Sequence, residues 1–134
     1  MRKFGCSLAG LICFVCIVGV YAFNIIENDN VHTPDYYESN VRSMFGREQW
    51  EAGKQLLDEG LRIYPDVNGL NELCGRYHYW KKDYDTARYY LVRAVRDNSE
   101  NVEAKQLLIK VEDETRNYSS AICYVNELLE INPY

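Results

Sequence analysis

The sequence predicts an all-α protein, an α-solenoid of three antiparallel helix hairpins preceded by an N-terminal signal helix. Three observations lead to this fold class. Residues of the same kind recur 34 positions apart, in units that cover residues 34–67, 68–101 and 102–134, and such a period is typical of stacked repeats. Apolar residues within each unit lie at helical spacing. A short polar break divides each unit, and a break of that length joins antiparallel helices.

The 34-residue period is visible as columns of matching residues. An aromatic residue opens the second half of each unit, a small residue follows three positions later, and aliphatic residues then follow at steps of four. The columns are Trp50, Tyr84 and Tyr118; Gly53, Ala87 and Ala121; Leu57, Leu91 and Val125; Leu61, Val95 and Leu129; and Pro65, Ser99 and Pro133. Because one hairpin cannot bury both of its faces, the units are expected to stack.

The first unit is predicted to begin at Pro34, the first helical position, with Thr33 before it as the cap of the helix. Its second helix contains Gly53 and Gly60, and each glycine costs up to about 1 kcal/mol relative to alanine. We interpret both glycines as points where two helices approach closely. The alternative is that this helix is simply weak.

In the second unit, the break between the two helices consists of Lys81, Lys82 and Asp83. Asp83 is expected to cap the following helix by accepting hydrogen bonds from its free backbone N–H groups. Small residues are expected where the two helices touch, namely Gly75 on the first helix and Ala87 on the second.

The third unit is expected to use Asn117 as the cap of the last helix. That helix carries a broad apolar surface formed by Ala121, Ile122, Val125, Leu128 and Leu129. Repeat arrays normally end in a helix with a polar outer face. We therefore expect the array to continue beyond Tyr134 in a longer protein, and the alternative is that self-association covers this surface.

The N-terminus has the pattern of a secretory signal peptide over residues 1–22. Arg2 and Lys3 precede an apolar run, and Ala22 provides a small residue for cleavage. The alternative is an uncleaved membrane anchor, although the run is short for a bilayer span of about 20 residues. Residues 23–33 are polar and lack helical period, so they are predicted to be a linker. The sequence thus predicts an exported protein.

The charge and the scarcity of histidine argue against several functions. Cleavage removes two of the 15 basic residues and none of the 20 acids, so the net charge changes from −5 to −7; such a surface repels nucleic acid. His32 lies in the linker, and His78 has only Cys74 at metal-ligand spacing, which is too few ligands for a structural zinc. No nucleophile, base and orienting group occur together, so no enzyme activity and no cofactor are expected.

Two cysteines, Cys74 and Cys123, remain after cleavage. In an oxidising compartment these two residues can form a disulfide. They occupy different positions in different units, and we expect both to be small buried apolar residues instead.

The units resemble the tetratricopeptide repeat (TPR) family. In the second unit the matching residues are Cys74, Gly75, His78, Ala87, Leu91, Ala94 and Ser99. The corresponding residues are Asn40, Val41, Met44, Gly53, Leu57, Gly60 and Pro65 in the first unit, and Leu108, Ile109, Glu112, Ala121, Val125, Leu128 and Pro133 in the third. The spacing agrees throughout, while several identities depart from the pattern. The resemblance implies a right-handed solenoid whose first helices line a concave face that binds proteins.

The residues expected on that concave face form charged columns. Arg42, Arg76 and Lys110 form a basic column, and Glu38, Glu72 and Gln106 form the column beside it. Phe45, Tyr79 and Trp80 are expected at one end of the face. A basic column beside aromatic residues can bind an acidic or C-terminal segment of a partner protein. The alternative is that the basic residues only form ion pairs with neighbouring acids at helical spacing.

The sequence therefore favours a scaffold that binds another protein or peptide segment. A weaker resemblance, in residues 95–108 and 118–134, is to exported bacterial proteins in which TPR units precede an outer-membrane β-barrel. It implies the periplasm or the outer membrane as the location. The alternative function is a structural or self-associating soluble arm of a longer outer-membrane protein. Membrane contact is expected only through the signal segment or a missing C-terminal part.

Overall fold

The structure is a computed structural model that describes residues 31–96 and 98–133. These ranges contain six α-helices and no β-strand, which confirms the all-helical prediction. The helices are α1 (Pro34–Gly46), α2 (Trp50–Ile63), α3 (Asn68–Trp80), α4 (Tyr84–Arg96), α5 (Val102–Glu114) and α6 (Tyr118–Ile131). The predictions for the signal peptide and for residues 23–30 of the linker lie outside the described residues. None of the six described helices has the length and apolar composition needed to cross a membrane.

The helices keep the 34-residue register of the sequence. The first helices begin at Pro34, Asn68 and Val102, and the second helices begin at Trp50, Tyr84 and Tyr118. Helices α1 and α2, α3 and α4, and α5 and α6 pack as three hairpins. Helix α3 also contacts both helices of the first hairpin, and α5 contacts both helices of the second. The hairpins therefore stack in chain order.

The turns inside the three hairpins share one backbone conformation. Each contains a non-glycine residue with positive φ, namely Glu48 at 61°, Lys82 at 61° and Arg116 at 60°. An L-residue with a side chain adopts this left-handed conformation at a cost of roughly 1–2 kcal/mol. The same strained position thus recurs once in every repeat.

Glu48→Gly is expected to raise the free energy of unfolding by up to about 1 kcal/mol, because glycine adopts positive φ without steric cost. Arg47→Gly is the matched control, since Arg47 lies in the same turn at φ −99°. At position 47 glycine relieves no strain and only raises the conformational entropy of the unfolded chain, so the free energy of unfolding is expected to fall. Urea denaturation measures both values, and effects of the same sign would contradict the turn conformation.

Side-chain caps were predicted for three helices, and two are confirmed. Thr33 accepts a hydrogen bond from the first turn of α1 at 3.4 Å, and Asp83 accepts one from the first turn of α4 at 3.3 Å. The prediction for Asn117 is wrong, because its side chain does not cap α6. Its Nδ2 atom donates to the Glu112 carboxylate at 2.8 Å instead, and a buried carboxylate gains more from an added donor than an exposed helix end does.

Glycine allows the two helices of a hairpin to approach closely. A Cβ atom at Gly53 would lie 2.7 Å from the Phe45 ring, and a Cβ atom at Gly60 would lie 2.9 Å from the Tyr37 ring. A Cβ atom at Gly75 would lie 2.5 Å from a side chain of α4. The interpretation of these glycines as points of close helix approach is therefore confirmed.

Two apolar clusters form the core. The first joins α1, α2 and α3 through Tyr37, Val41, Phe45, Leu57, Leu70, Leu73, Cys74 and Tyr77. The second joins α4 and α5 through Ala87, Leu91, Ala94, Ala104, Leu108 and Val111. Stacking buries Leu57 and Leu91 completely, whereas Val125 at the equivalent position of α6 is 39% exposed. Within the described residues, no further hairpin covers α6.

Two buried charges hold the third hairpin in place. Glu112 of α5 is buried and accepts hydrogen bonds from Arg88 of α4 at 2.6 and 3.2 Å. The bond to Glu112 raises the pKa of the Arg88 guanidinium. Lys105 of α5 is also buried, and its Nζ atom lies 2.8 Å from the Glu127 carboxylate of α6. The first pair joins two hairpins, and the second joins the two helices of one hairpin.

Candidate functional site

The first helices α1, α3 and α5 lie side by side, because α3 contacts both of the others; we call the surface they share the first-helix face. Arg42, Glu72 and Arg76 form a cluster on it, the arginine–glutamate cluster. An Nη2 atom of Arg42 lies 3.2 Å from Glu72 Oε2, and an Nη2 atom of Arg76 lies 3.0 Å from Glu72 Oε1. The structure thus brings together members of both predicted charged columns.

The arginine–glutamate cluster has a buried centre and exposed flanks. Glu72 is 3% exposed, whereas the side chains of Arg42 and Arg76 are 44% and 33% exposed. A carboxylate is buried in ionised form only when it is paired and hydrogen-bonded, and two guanidinium groups do this for Glu72. The cluster keeps one net positive charge. The buried Nε atom of Arg76 has no acceptor within the described part of the chain.

A polar groove of about 310 Å³ lies next to the cluster. It is lined by Glu38, Arg42, Asn68, Gly69, Glu72, Asn98, Glu100, Asn101 and Glu103. Burial raises the pKa of Glu38, and its flexible carboxylate occupies the place of a Cβ atom at Gly69, so a side chain at position 69 would displace this carboxylate. Acids outnumber bases among the described residues of this lining, since Arg42 is its one basic residue beside four glutamates.

The two predicted site residues on α5 lie apart from this groove. Lys110 and Gln106 are both exposed. Gln106 lines a different groove of about 330 Å³ between α5 and α6, together with the apolar side chains of Val125 and Leu129. Gln106 is therefore not part of the lining that Glu38 and Glu72 share.

The three predicted aromatic residues have different environments. Phe45 is 5% exposed and packs against Trp50 with ring centroids 4.8 Å apart, so it belongs to the core. Tyr79 is half-buried against Tyr84 at 5.9 Å. Trp80 is 42% exposed and stacks on Trp50 at 5.0 Å with ring planes 9° apart. Trp80 offers the largest exposed surface of the three.

The two cysteines in the described part of the chain, Cys74 and Cys123, are both free, and their environments differ. Cys74 is buried, and this burial raises its pKa to about 12. Cys123 is exposed on α6. The expectation that both are buried is therefore wrong for Cys123, because its side of α6 has no neighbouring helix among the described residues.

Packing explains the position of His78. Its ring stacks on the Tyr90 ring with centroids 5.9 Å apart and planes at 13°, and its Nδ1 atom lies 3.1 Å from Asp83 Oδ2. In residues 31–96 and 98–133, no three His, Cys, Asp or Glu side chains are grouped in a way that could bind a metal ion.

Sequence reasoning missed the ion pairs that connect successive hairpins. It expected pairs at helical spacing, and Arg76 with Glu72 is one, but Arg42 also reaches Glu72, at a separation of 30 residues. Lys81 pairs with Glu51 at the same separation, at 3.0 Å. A separation of 30 residues equals one 34-residue repeat minus one helical turn of about four residues. The repeat period could therefore have predicted both pairs.

The scan against family models and the search of curated proteins found no match for this chain. The class of protein to which this chain belongs is therefore defined from the structure alone. The described residues form a helical-repeat domain of three stacked hairpins, and the first-helix face carries the arginine–glutamate cluster and the adjoining polar groove.

Proposed function

We propose that this chain is an exported TPR scaffold that holds another polypeptide against a concave face formed by α1, α3 and α5. The hairpins form a right-handed solenoid, and residues 1–22 are a signal peptide that directs the chain to the periplasm or the outer membrane. The chain acts by binding, without catalysis and without a cofactor. The 34-residue register of the six helices supports this proposal, because stacked repeats create extended binding surfaces.

The observation that carries the proposal is the arginine–glutamate cluster. Guanidinium groups bind carboxylates through paired N–H donors in a rigid fork. Glu72 holds Arg42 and Arg76 in position, so little side-chain freedom is lost when a ligand binds. The net positive charge favours an acidic side chain or the C-terminal carboxylate of a partner segment. Lys110, one repeat beyond Arg76, supplies a further cation to the same segment.

Arg42→Gln is expected to weaken binding of such a segment by about 10- to 100-fold, because a hydrogen bond to a charged group contributes about 1.5–3 kcal/mol. The ligands are peptides selected from a random library displayed with free C-termini, and fluorescence anisotropy measures their affinity. Arg62→Gln is the matched control, since Arg62 is exposed on α2 and its loss removes the same charge from another helix.

Unchanged affinity in the Arg42→Gln variant would contradict the assignment of the binding face. An equal loss in the Arg62→Gln variant would also contradict it, because it would indicate general charge attraction. Arg76→Glu is less suitable, since it places a second carboxylate beside buried Glu72 and destabilises the fold. Circular dichroism checks that each variant keeps its helicity.

The second candidate function is a structural or self-associating soluble arm of a longer outer-membrane protein. The exposed apolar residues of α6, among them Ile122 and Leu129, favour this candidate, because large exposed patches mark interaction surfaces. Sedimentation separates the two functions. An oligomer that selects no peptide on the first-helix face supports the structural function.

A further inference from the structure

The outer face of α6 carries a narrow apolar stripe. Tyr118, Ile122, Val125 and Leu129 are 57%, 60%, 39% and 55% exposed, and their spacing alternates between four and three residues. This alternation is typical of a helix that packs lengthwise against one other helix. We propose that α6 pairs with the α6 of a second copy of this chain, in an antiparallel arrangement about a two-fold axis near Val125.

The stripe differs at one position from the surfaces that stack the hairpins within the chain. Tyr118, Val125 and Leu129 belong to the repeat columns, but position 122 is equivalent to Lys54 in α2 and Arg88 in α4, and both of these cations contact the next hairpin. Lys54 Nζ lies 5.4 Å from the centroid of the Tyr77 ring, and Arg88 pairs with Glu112. An isoleucine at position 122 makes neither contact, so at this position α6 suits an apolar partner.

The other end of the stack does not complement the stripe. Leu70 and Tyr77 of α3 are buried in the cluster that joins the first and second hairpins. The equivalent residues of α1 are Tyr36 and Ser43, and both are exposed. A head-to-tail stack of two copies would place this more polar surface on the apolar stripe around Ile122. A two-fold pair, in which the stripe meets itself, avoids that mismatch.

Charges favour the antiparallel direction. Among residues 118–133, the acids are Glu127 and Glu130, and there is no lysine or arginine. The N-terminal end of α6 has no side-chain cap and carries the partial positive charge of the helix dipole. Antiparallel pairing about Val125 brings Glu130 of each copy towards the N-terminal end of the other α6. Parallel pairing would align the acids of the two copies.

The exposed apolar area indicates a weak dimer. The four stripe residues together expose about as much surface as two complete large side chains, roughly 400 Å² per copy. The stripe alone would therefore bury about 800 Å² in a pair, at the lower end of specific interfaces. A dissociation constant in the micromolar range is expected.

Sedimentation velocity of the complete chain from about 1 to 300 µM tests this dimer. The native chain is expected to shift from monomer to dimer across this range. Ile122→Glu is expected to weaken dimerisation at least about tenfold, because it buries an unpaired charge in the pair. Asn126→Glu is the matched control, since it adds the same charge to an exposed position beside the stripe, and dimerisation is expected to persist.

Disulfide formation tests the two-fold arrangement. In a chain with Cys6, Cys13, Cys16 and Cys123 replaced by alanine, Val125→Cys is expected to form an intermolecular disulfide under mild oxidation. Asn126→Cys in the same background is expected to form far less, because it lies about 100° around the helix.

Three results would overturn the proposal. The first is a native chain that stays monomeric over the whole concentration range. A monomer whose α6 binds a helix of another protein counts as the same result. The second is a dimer that survives Ile122→Glu with unchanged affinity. The third is equal disulfide formation at positions 125 and 126. Ile122 is exposed, so its substitution leaves the fold intact, and circular dichroism verifies this in each variant.

Discussion

Glu112→Ala is expected to lower the free energy of unfolding by about 1.5–3 kcal/mol, because it removes buried hydrogen bonds to a charged group, although Arg88 keeps its pair with Asp85 at 3.0 Å. Glu112 is 2% exposed and accepts two hydrogen bonds from Arg88 and one from Asn117. Its loss leaves the Arg88 guanidinium partly buried without that carboxylate. The second and third hairpins meet at this pair, so their junction is expected to weaken most.

Urea denaturation followed by circular dichroism measures this loss. Asp113→Ala is the matched control, because Asp113 is the exposed neighbour of Glu112 on α5, and its removal is expected to change stability by less than about 0.5 kcal/mol. Replacing both partners by apolar residues, as in Arg88→Met with Glu112→Leu, is expected to recover most of the loss. Equal effects of Glu112→Ala and Asp113→Ala would contradict a buried ion pair at this junction.

Leu91→Ala is expected to lower the free energy of unfolding by about 2–5 kcal/mol, because it removes buried methyl groups and leaves a cavity. Leu91 is fully buried in the cluster between α4 and α5. Its Cγ atom also lies only 2.5 Å from where a Cβ atom at Gly75 would be. The leucine thus fills the space that the glycine leaves open.

Because Leu91 fills the space beside Gly75, combining substitutions at both positions tests this prediction more strictly. Gly75→Ala alone is expected to cost about 1–3 kcal/mol by overpacking. In the Leu91→Ala background the same substitution is expected to cost clearly less, because the clash is gone and alanine favours a helix over glycine by about 1 kcal/mol. Urea denaturation of the native chain, both single variants and the double variant yields the coupling free energy. Additive effects would show that the two side chains do not share this space.

Much of the fold could be predicted from the sequence because its period is strict. The column formed by Trp50, Tyr84 and Tyr118 predicts where the second helices start. In the structure those helices begin at the same three residues. Gly53 and Gly75 were predictable as close contacts, because glycine destabilises the middle of a patterned helix and its lack of a side chain allows a neighbouring helix to approach.

The environment of individual side chains was harder to predict. Phe45 was predicted at one end of the binding face, but its ring turns into the core against Trp50. A helical period does not specify side-chain direction that finely. Asn117 has the sequence of a cap, yet its amide donates to Glu112, five residues earlier, which packing against α4 buries. Cys123 is exposed because burial on α6 depends on what packs against it. Each of these outcomes depends on a tertiary neighbour rather than on local pattern.

The candidate site was predictable in composition and not in arrangement. The sequence predicts Arg42, Arg76 and Glu72 as members of two columns. Their joining into one cluster with a buried carboxylate follows from the stacking distance between α1 and α3. The polar groove was missed, because Asn98, Glu100 and Asn101 at the end of the second unit contribute to its lining and belong to none of the columns.

The most direct test of the binding function is nuclear magnetic resonance of the isotopically labelled chain, titrated with a peptide selected as described above. The expected result is that shift changes concentrate on α1 and α3, with the side-chain N–H signals of Arg42 and Arg76 among the largest, because a bound carboxylate contacts those groups directly. Shift changes confined to α2, α4 and α6, with both arginine signals unmoved, would contradict binding on the first-helix face.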